Sequence, residues 1–192
     1  MKKTISVFVL FFVFGLAFLP AQTTDNPALF PIIHNYSTRA ADFVPGQLTR
    51  AELDNIVRAG LRAPSAGNRQ PWLFTVVQNM ALAREILPNI TEGNVLIVVS
   101  GVLGGANRDA VILDCGLAAQ SMFLSAQAMR IGARQYTNSA LINRTNERKA
   151  QLGIPADHTA IVVIQFGRIT AGVDVVGSAS PRAEPNTKVV YR

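Results

Sequence analysis

The chain of 192 residues has one cysteine, Cys115, so it can form no disulfide within itself. Leu113, Leu117 and Ala118 around that cysteine point to a buried thiol rather than a reactive nucleophile. His34 and His158 have no partner His, Cys or carboxylate cluster at ligand spacing, which argues against a metal centre and for surface or capping roles. No basic run is interleaved with aromatics, so a nucleic-acid surface has no support. A Gly-x-Ser-x-Gly elbow is missing, which argues against a hydrolase triad. Gly101-Val-Leu-Gly-Gly105 departs from the dinucleotide fingerprint Gly-x-Gly-x-x-Gly and is read as a flexible turn. Long internal repeats and low-complexity segments are also lacking.

The first residues carry an address. Lys2 and Lys3 precede an uncharged apolar run from Ile5 to Leu19, and Pro20-Ala21-Gln22 supplies a small residue near a processing point. The expectation is an exported protein, periplasmic or secreted, with residues 1–22 as a signal peptide. The run is shorter than the roughly 20 residues of a spanning helix, so a short uncleaved anchor is the alternative. No cysteine lies near residues 17–22 to accept a lipid, and Lys2-Lys3 is not a twin-arginine signal. Loss of the two lysines lowers the net charge from +6 to +4, all twelve acids lying downstream. Residues 23–35, with Pro27 and Pro31, read as a linker, and residues 36–192 as one domain.

Thr49 and Glu52 have capping-box spacing, and Leu53, Ile56, Val57 and Leu61 recur with helical period, predicting a helix from Arg50 that stops before Pro64. Strands are expected over 72–77 and 95–100, a helix over 81–87, and a long apolar helix over 108–129. A short strand over 133–137, a helix over 143–152 and a last core strand over 160–166 follow. This alternation indicates an α/β or α+β sandwich. The helix over 108–129 is apolar around most of its circumference, more than one small domain can cover, which points to a two-fold interface.

Between the first helix and the first strand lies Arg62-Ala-Pro-Ser-Ala-Gly-Asn-Arg-Gln-Pro-Trp72. It sets short polar side chains between two prolines and a glycine. A flavin needs donors and acceptors along its pyrimidine edge, an apolar stacking face and cations for its phosphate. Asn68 and Gln70 suit the first need; an ordinary helix-to-strand turn is the plainer alternative.

The Ala-Pro-Ser, Asn and Gln-Pro-Trp spacing resembles the flavin-binding signature of the nitroreductase family. Asp114-Cys-Gly-Leu-Ala-Ala-Gln120 is similar to the start of that family's central helix, and Leu152-Gly-Ile-Pro-Ala-Asp-His158 to its last helix-to-strand connector. Asn35-Tyr-Ser-Thr-Arg39 stands where the family has Arg-x-Ser-x-Arg/Lys, with Asn35 in place of the first arginine. Phe43 follows Arg39 by four positions rather than two, and the stretch between Val99 and Asp109 is short for the family. The resemblance implies an α+β sandwich with a central, mainly antiparallel sheet flanked by helices, assembled as a homodimer with FMN between the subunits. It implies cofactor-binding roles for Ser37, Arg39, Pro64, Ser65, Ala66, Asn68, Gln70 and, from Ser180-Pro-Arg-Ala-Glu-Pro185, Arg182, with no catalytic side chain required.

The implied activity is that of an FMN-dependent oxidoreductase passing electrons in a ping-pong cycle from NAD(P)H to a nitroaromatic, quinone-like or related small acceptor. A chain exported unfolded would acquire FMN outside the cytoplasm, since only the folded state binds it. The competing readings are a non-enzymatic or degenerate flavin-binding protein of the same fold, and an envelope-associated interaction module without flavin.

Overall fold

The computed structural model describes residues 37–172 and 187–192. The expected signal, the linker, Asn35 and Arg182 lie outside them. Five strands, β1 (Phe43–Val44), β2 (Trp72–Val77), β3 (Val95–Val102), β4 (Gly132–Tyr136) and β5 (His158–Ile169), form one sheet in the order β1-β5-β3-β2, and β4 also pairs β5. Every pairing is antiparallel. The long β5 makes this possible: its Phe166 half faces β3 on one side and β4 on the other, and its last residues, Arg168 and Ile169, hold β1.

The helices are α1 (Arg50–Leu61), α2 (Met80–Ile86), α3 (Arg108–Ala128), α4 (Ser139–Glu147) and α5 (Lys149–Leu152). Alternation along β3 assigns them to faces. Ile97 and Val99 meet Leu53 and Ile56 of α1 and Cys115, Ala119 and Met122 of α3; Leu96 and Val98 meet Ala83 and Ile86 of α2 and Leu141 of α4. All four β3 residues are fully buried, as a continuous apolar strand covered on both faces should be. The architecture is therefore the expected α+β arrangement of an antiparallel sheet flanked by helices.

Local chemistry explains the element ends. Thr49 Oγ1 accepts from Glu52 N at 3.2 Å and Glu52 Oε2 accepts from Thr49 N at 2.7 Å, closing the predicted capping box. The same carboxylate receives both Nη atoms of Arg168 at 2.7 and 2.8 Å, fastening α1 to β5.

Three boundaries differ from expectation. The helix expected over 143–152 starts at Ser139, because Asn138 accepts from Leu141 N and caps it, and it breaks into α4 and α5 at Arg148. The last strand extends over His158–Ile169 because it must serve partners on both edges. Gly101 belongs to β3 rather than to a turn: a Cβ there would lie 2.8 Å from Val111 Cγ1 and 3.1 Å from Pro71 O. The turn begins only after Val102, where Gly105 adopts φ 66°.

α3 is central, as expected. Gly105–Ala128 is long and apolar enough, on length and composition, to cross a membrane, but core helices of soluble proteins pass the same test and this one packs against α1 and the sheet.

Candidate functional site

α1 ends at Leu61, and the next residues leave helical geometry because Pro64 disfavours it for the residue before. Ser65 is extended at φ −145°, ψ 154°, and Ala66–Asn68 form a 3-10 turn. Gly67, Asn68 and Gln70 then take φ of 59°, 54° and 49°. Glycine and, to a degree, asparagine adopt this region, but for a glutamine it costs about 1–2 kcal/mol. Such strain persists only where surrounding contacts impose it.

Those contacts are specific. Asn68 N donates to Ser65 O at 3.0 Å and Arg69 N to Ala66 O at 3.3 Å. Ser65 Oγ accepts from Gln70 N at 3.0 Å, so the predicted serine serves the loop's own backbone. Ala66 N donates to Asp114 Oδ1 of α3 at 3.1 Å, and Arg69 Nη1 to Asn107 Oδ1 at 2.9 Å. Below, Trp72 is buried and stacks on Phe74 at 6.1 Å between ring centroids. The loop thus stands on β2, β3 and α3.

Its outer surface is polar. Ala66, Gly67, Asn68, Arg69 and Gln70 are exposed, and Gln70 Nε2 donates to Asn68 Oδ1 at 3.1 Å. That bond ties the two amides together and leaves Asn68 Nδ2 as a donor and Gln70 Oε1 as an acceptor for other partners. A planar heterocycle with alternating donors and acceptors is the complementary partner.

The structure brings Pro64, Ser65, Ala66, Asn68 and Gln70 together, and it does not bring Ser37 and Arg39 to them. Thr38, between those two, exchanges hydrogen bonds of 2.9 Å with Ala133 of β4, and Ala133 pairs with Phe166, which pairs with Val95. The loop instead abuts Gly101, six residues along β3, or about 20 Å at the rise of a strand. The two groups of expected residues therefore lie at opposite ends of the sheet in one chain.

At the Val95 end Arg39 is already engaged. Its Nε and Nη2 donate to Asp42 at 2.8 and 3.0 Å, and Asp42 is 7% exposed. These bonds hold the Asp42 carboxyl below its ordinary range and raise the Arg39 guanidinium above its own. The Nη1 edge of Arg39 lies outside this pairing.

The thiol of Cys115 is fully buried, and burial, with the Asp114 charge adding to it, pushes its pKa up to about 12. A nucleophilic thiolate at neutral pH is thereby removed, in line with the buried-thiol expectation. His158 Nδ1 lies 3.3 Å from the buried Ser100 Oγ on β3, a tie between strands. Among the described residues no three His, Cys, Asp or Glu side chains gather into a group that could hold a metal ion.

The outer face of α3 stays apolar, Leu113 being 64% and Leu117 37% exposed, and Leu61 at the end of α1 is 50% exposed. Beside it a groove of about 520 Å³ runs between α1 and α3, with Arg58 and Arg62 on one wall and Ser125 and Met129 on the other.

Sequence reasoning passed over three residues of this region: Asp42, Asn107 and Asp114. Asp114 offered a signal, an acid among alanines and leucines on a helix expected to be buried. Asn107 offered none, since polar residues in loops are ordinary, and Asp42 offered only its place in the lengthened stretch between Arg39 and Phe43.

The comparisons with known proteins agree. The model of the Nitroreductase family matches residues 34–103, which include the whole 62–72 loop. An Archaeoglobus fulgidus protein assigned as an NADH dehydrogenase/NAD(P)H nitroreductase is 27% identical over 129 residues, 63% of this chain and 74% of that one. A nitroreductase from Desulfovibrio desulfuricans, solved in complex with FMN, superposes with TM-score 0.71 at 25% identity over 88% of this chain and 99% of its own. A Bacteroides fragilis nitroreductase with bound FMN superposes with TM-score 0.69 at 20% identity over 88% of this chain and 100% of its own. Signature, relative and fold converge on one likeness: residues 34–103 match the nitroreductase family's model, and the described fold is shared with solved nitroreductases.

Proposed function

We propose that the chain is an FMN-dependent oxidoreductase that reduces small nitroaromatic, quinone-like or related acceptors, with NAD(P)H as reductant. The observation that carries the reading is the strained loop that exposes Asn68 and Gln70, joined by Gln70 Nε2 donating to Asn68 Oδ1, with Asn68 Nδ2 as donor and Gln70 Oε1 as acceptor outside that bond. Bound there, FMN supplies hydride and electron transfer in two half-reactions. The chain's own residues bind and orient: Asn68 and Gln70 address the pyrimidine edge, Pro64, Ser65 and Ala66 shape the backbone beneath it, Ser37 and Arg39 take the ribityl-phosphate end, and Arg182 adds a second cation. No side chain is assigned a proton-transfer role.

The working unit is a homodimer. Ser37 and Arg39 lie about a sheet length from the loop of their own chain, so on this reading a second copy supplies one of the two groups, and the exposed Leu113 and Leu117 of α3 offer it an apolar face. The protein acts after export, directed by residues 1–22.

One observation favours a second reading, a flavin-binding protein without turnover: Arg39 is paired with Asp42, and Asn35 replaces an arginine of the family pattern. The deciding experiment is the visible spectrum of the purified chain lacking residues 1–22, mixed with excess FMN and freed of unbound ligand. A stoichiometric flavin band, bleached by NADH and restored by a quinone, is expected. A flavin band that NADH leaves unbleached moves the conclusion to the second reading, and a colourless folded dimer removes both.

A further inference from the structure

Asp114 is the charged side chain that α3 buries, at 2% exposure, among alanines, leucines and Cys115. One oxygen accepts from Ala66 N at 3.1 Å, and the other has no hydrogen-bond partner among the described residues. A buried carboxylate with half its lone pairs unmatched is a liability, and an apolar residue would fill the space at less cost. What it offers in exchange is a charge-assisted bond to a backbone N–H, stronger than a neutral acceptor gives. That N–H opens the turn in which Gly67, Asn68 and Gln70 take positive φ. The other bonds of this turn close on the loop itself, through Ser65 and Ala66, or run through exposed side chains, as from Arg69 to Asn107.

We propose that Asp114 is a positioning residue that clamps the Pro64–Gln70 loop to the core of α3 through Ala66 N–H, fixing the backbone that presents Asn68 and Gln70. The purpose of the clamp rests on the flavin reading; its existence does not.

Three variants of the purified protein test it. Asp114→Ala removes the acceptor, Asp114→Asn keeps its shape with a weaker neutral bond, and Ala66→Pro removes only the donor. Proline suits position 66, which follows the extended Ser65 and opens the turn. In the absence of FMN, amide hydrogen exchange at Asn68 and Gln70 is expected to rise roughly tenfold in Asp114→Ala and in Ala66→Pro, and by less in Asp114→Asn. The double variant should be no worse than either single one, while β3 amides stay protected. FMN titration followed by flavin fluorescence should weaken in the same order, roughly tenfold for the first two. Unchanged exchange at Asn68 and Gln70, or additive effects in the double variant, overturns the clamp. If the unaltered protein binds no FMN, the flavin reading fails, and the exchange comparison still decides the clamp. Should Asp114→Ala not fold, Ala66→Pro and Asp114→Asn carry the same test.

Discussion

The two ends of β3 are built on opposite plans. At the Gly101 end the chain works against local preference: Asn68 and Gln70 sit at positive φ and their amides face solvent, held from below by Ser65 and Asp114. At the Val95 end a set of polar groups is turned inward and satisfied, while Arg39 beside them stays exposed. Asn94, 1% exposed, donates to Val44 O and accepts from Gln165, whose own oxygen accepts from the Tyr136 hydroxyl. Arg39 and Asp42 satisfy each other there too. One end stores strain to present groups outward, and the other spends its polar groups on holding strands together. This is the division expected of a binding platform and its scaffold.

The largest effect that would sharpen this contrast lies at the scaffold end. A Cβ on Gly167 would lie 2.3 Å from the Asn94 side chain, so Gly167→Ala should cost about 3 kcal/mol in urea unfolding by breaking the Asn94–Gln165 chain. A loss below about 1 kcal/mol would mean that the network yields easily and is no scaffold.

Next comes Arg39→Ala, which should weaken FMN binding roughly tenfold, because a charge-assisted phosphate contact is lost. It should also lower stability, since the buried Asp42 loses its partner. Lower stability with unchanged FMN affinity, read by melting and by fluorescence titration, would place Arg39 wholly in the scaffold.

A smaller effect tests the joint between α1 and β5. The bonds from Arg168 come first among the causes that hold the Glu52 pKa at about 2 against an ordinary 4.5. A lowered carboxylate pKa contributes stability that is fully present above about 4.5 and is lost as pH falls towards 2. For this partly exposed pair, solvent screening leaves about 1–2 kcal/mol. Glu52→Gln should be less stable by that amount at pH 7 and should flatten the acid limb of the stability profile. An unchanged profile would show the pair to be idle.

The smallest effect has the opposite sign. Gln70→Gly relieves left-handed strain and should raise stability by up to about 1 kcal/mol while lowering FMN affinity, since the Gln70 amide is lost. A fall in stability instead would show that the side-chain bond to Asn68 outweighs the strain, and the two ends of β3 would then not differ in stored strain.

Much of this was legible in the sequence wherever the cause is local. Thr49 and Glu52 announce the start of α1 because a capping box needs only four residues, and β2 and β3 follow from apolar runs bounded by Pro71, Pro88 and Gly93. The loop from Arg62 to Trp72 stood out through its resemblance to a family string, since its residues alone read equally well as an ordinary turn; its bonds join residues no more than five apart, apart from those to Asn107 and Asp114. The start of α4 was missed because Asn138 resembles any polar loop residue until its side chain is seen on Leu141 N.

The sequence alone determined which segments are helix and strand, which faces are apolar, and the family string that marks the loop, because periodicity, caps and short-range bonds are written in neighbouring residues. Only the tertiary structure decided that Ser37 and Arg39 lie a sheet length from Asn68 and Gln70, and that Asp114 holds the loop from 48 positions away. Strand order and register set those distances, and they are settled by burial across the whole sheet rather than by any local stretch of chain.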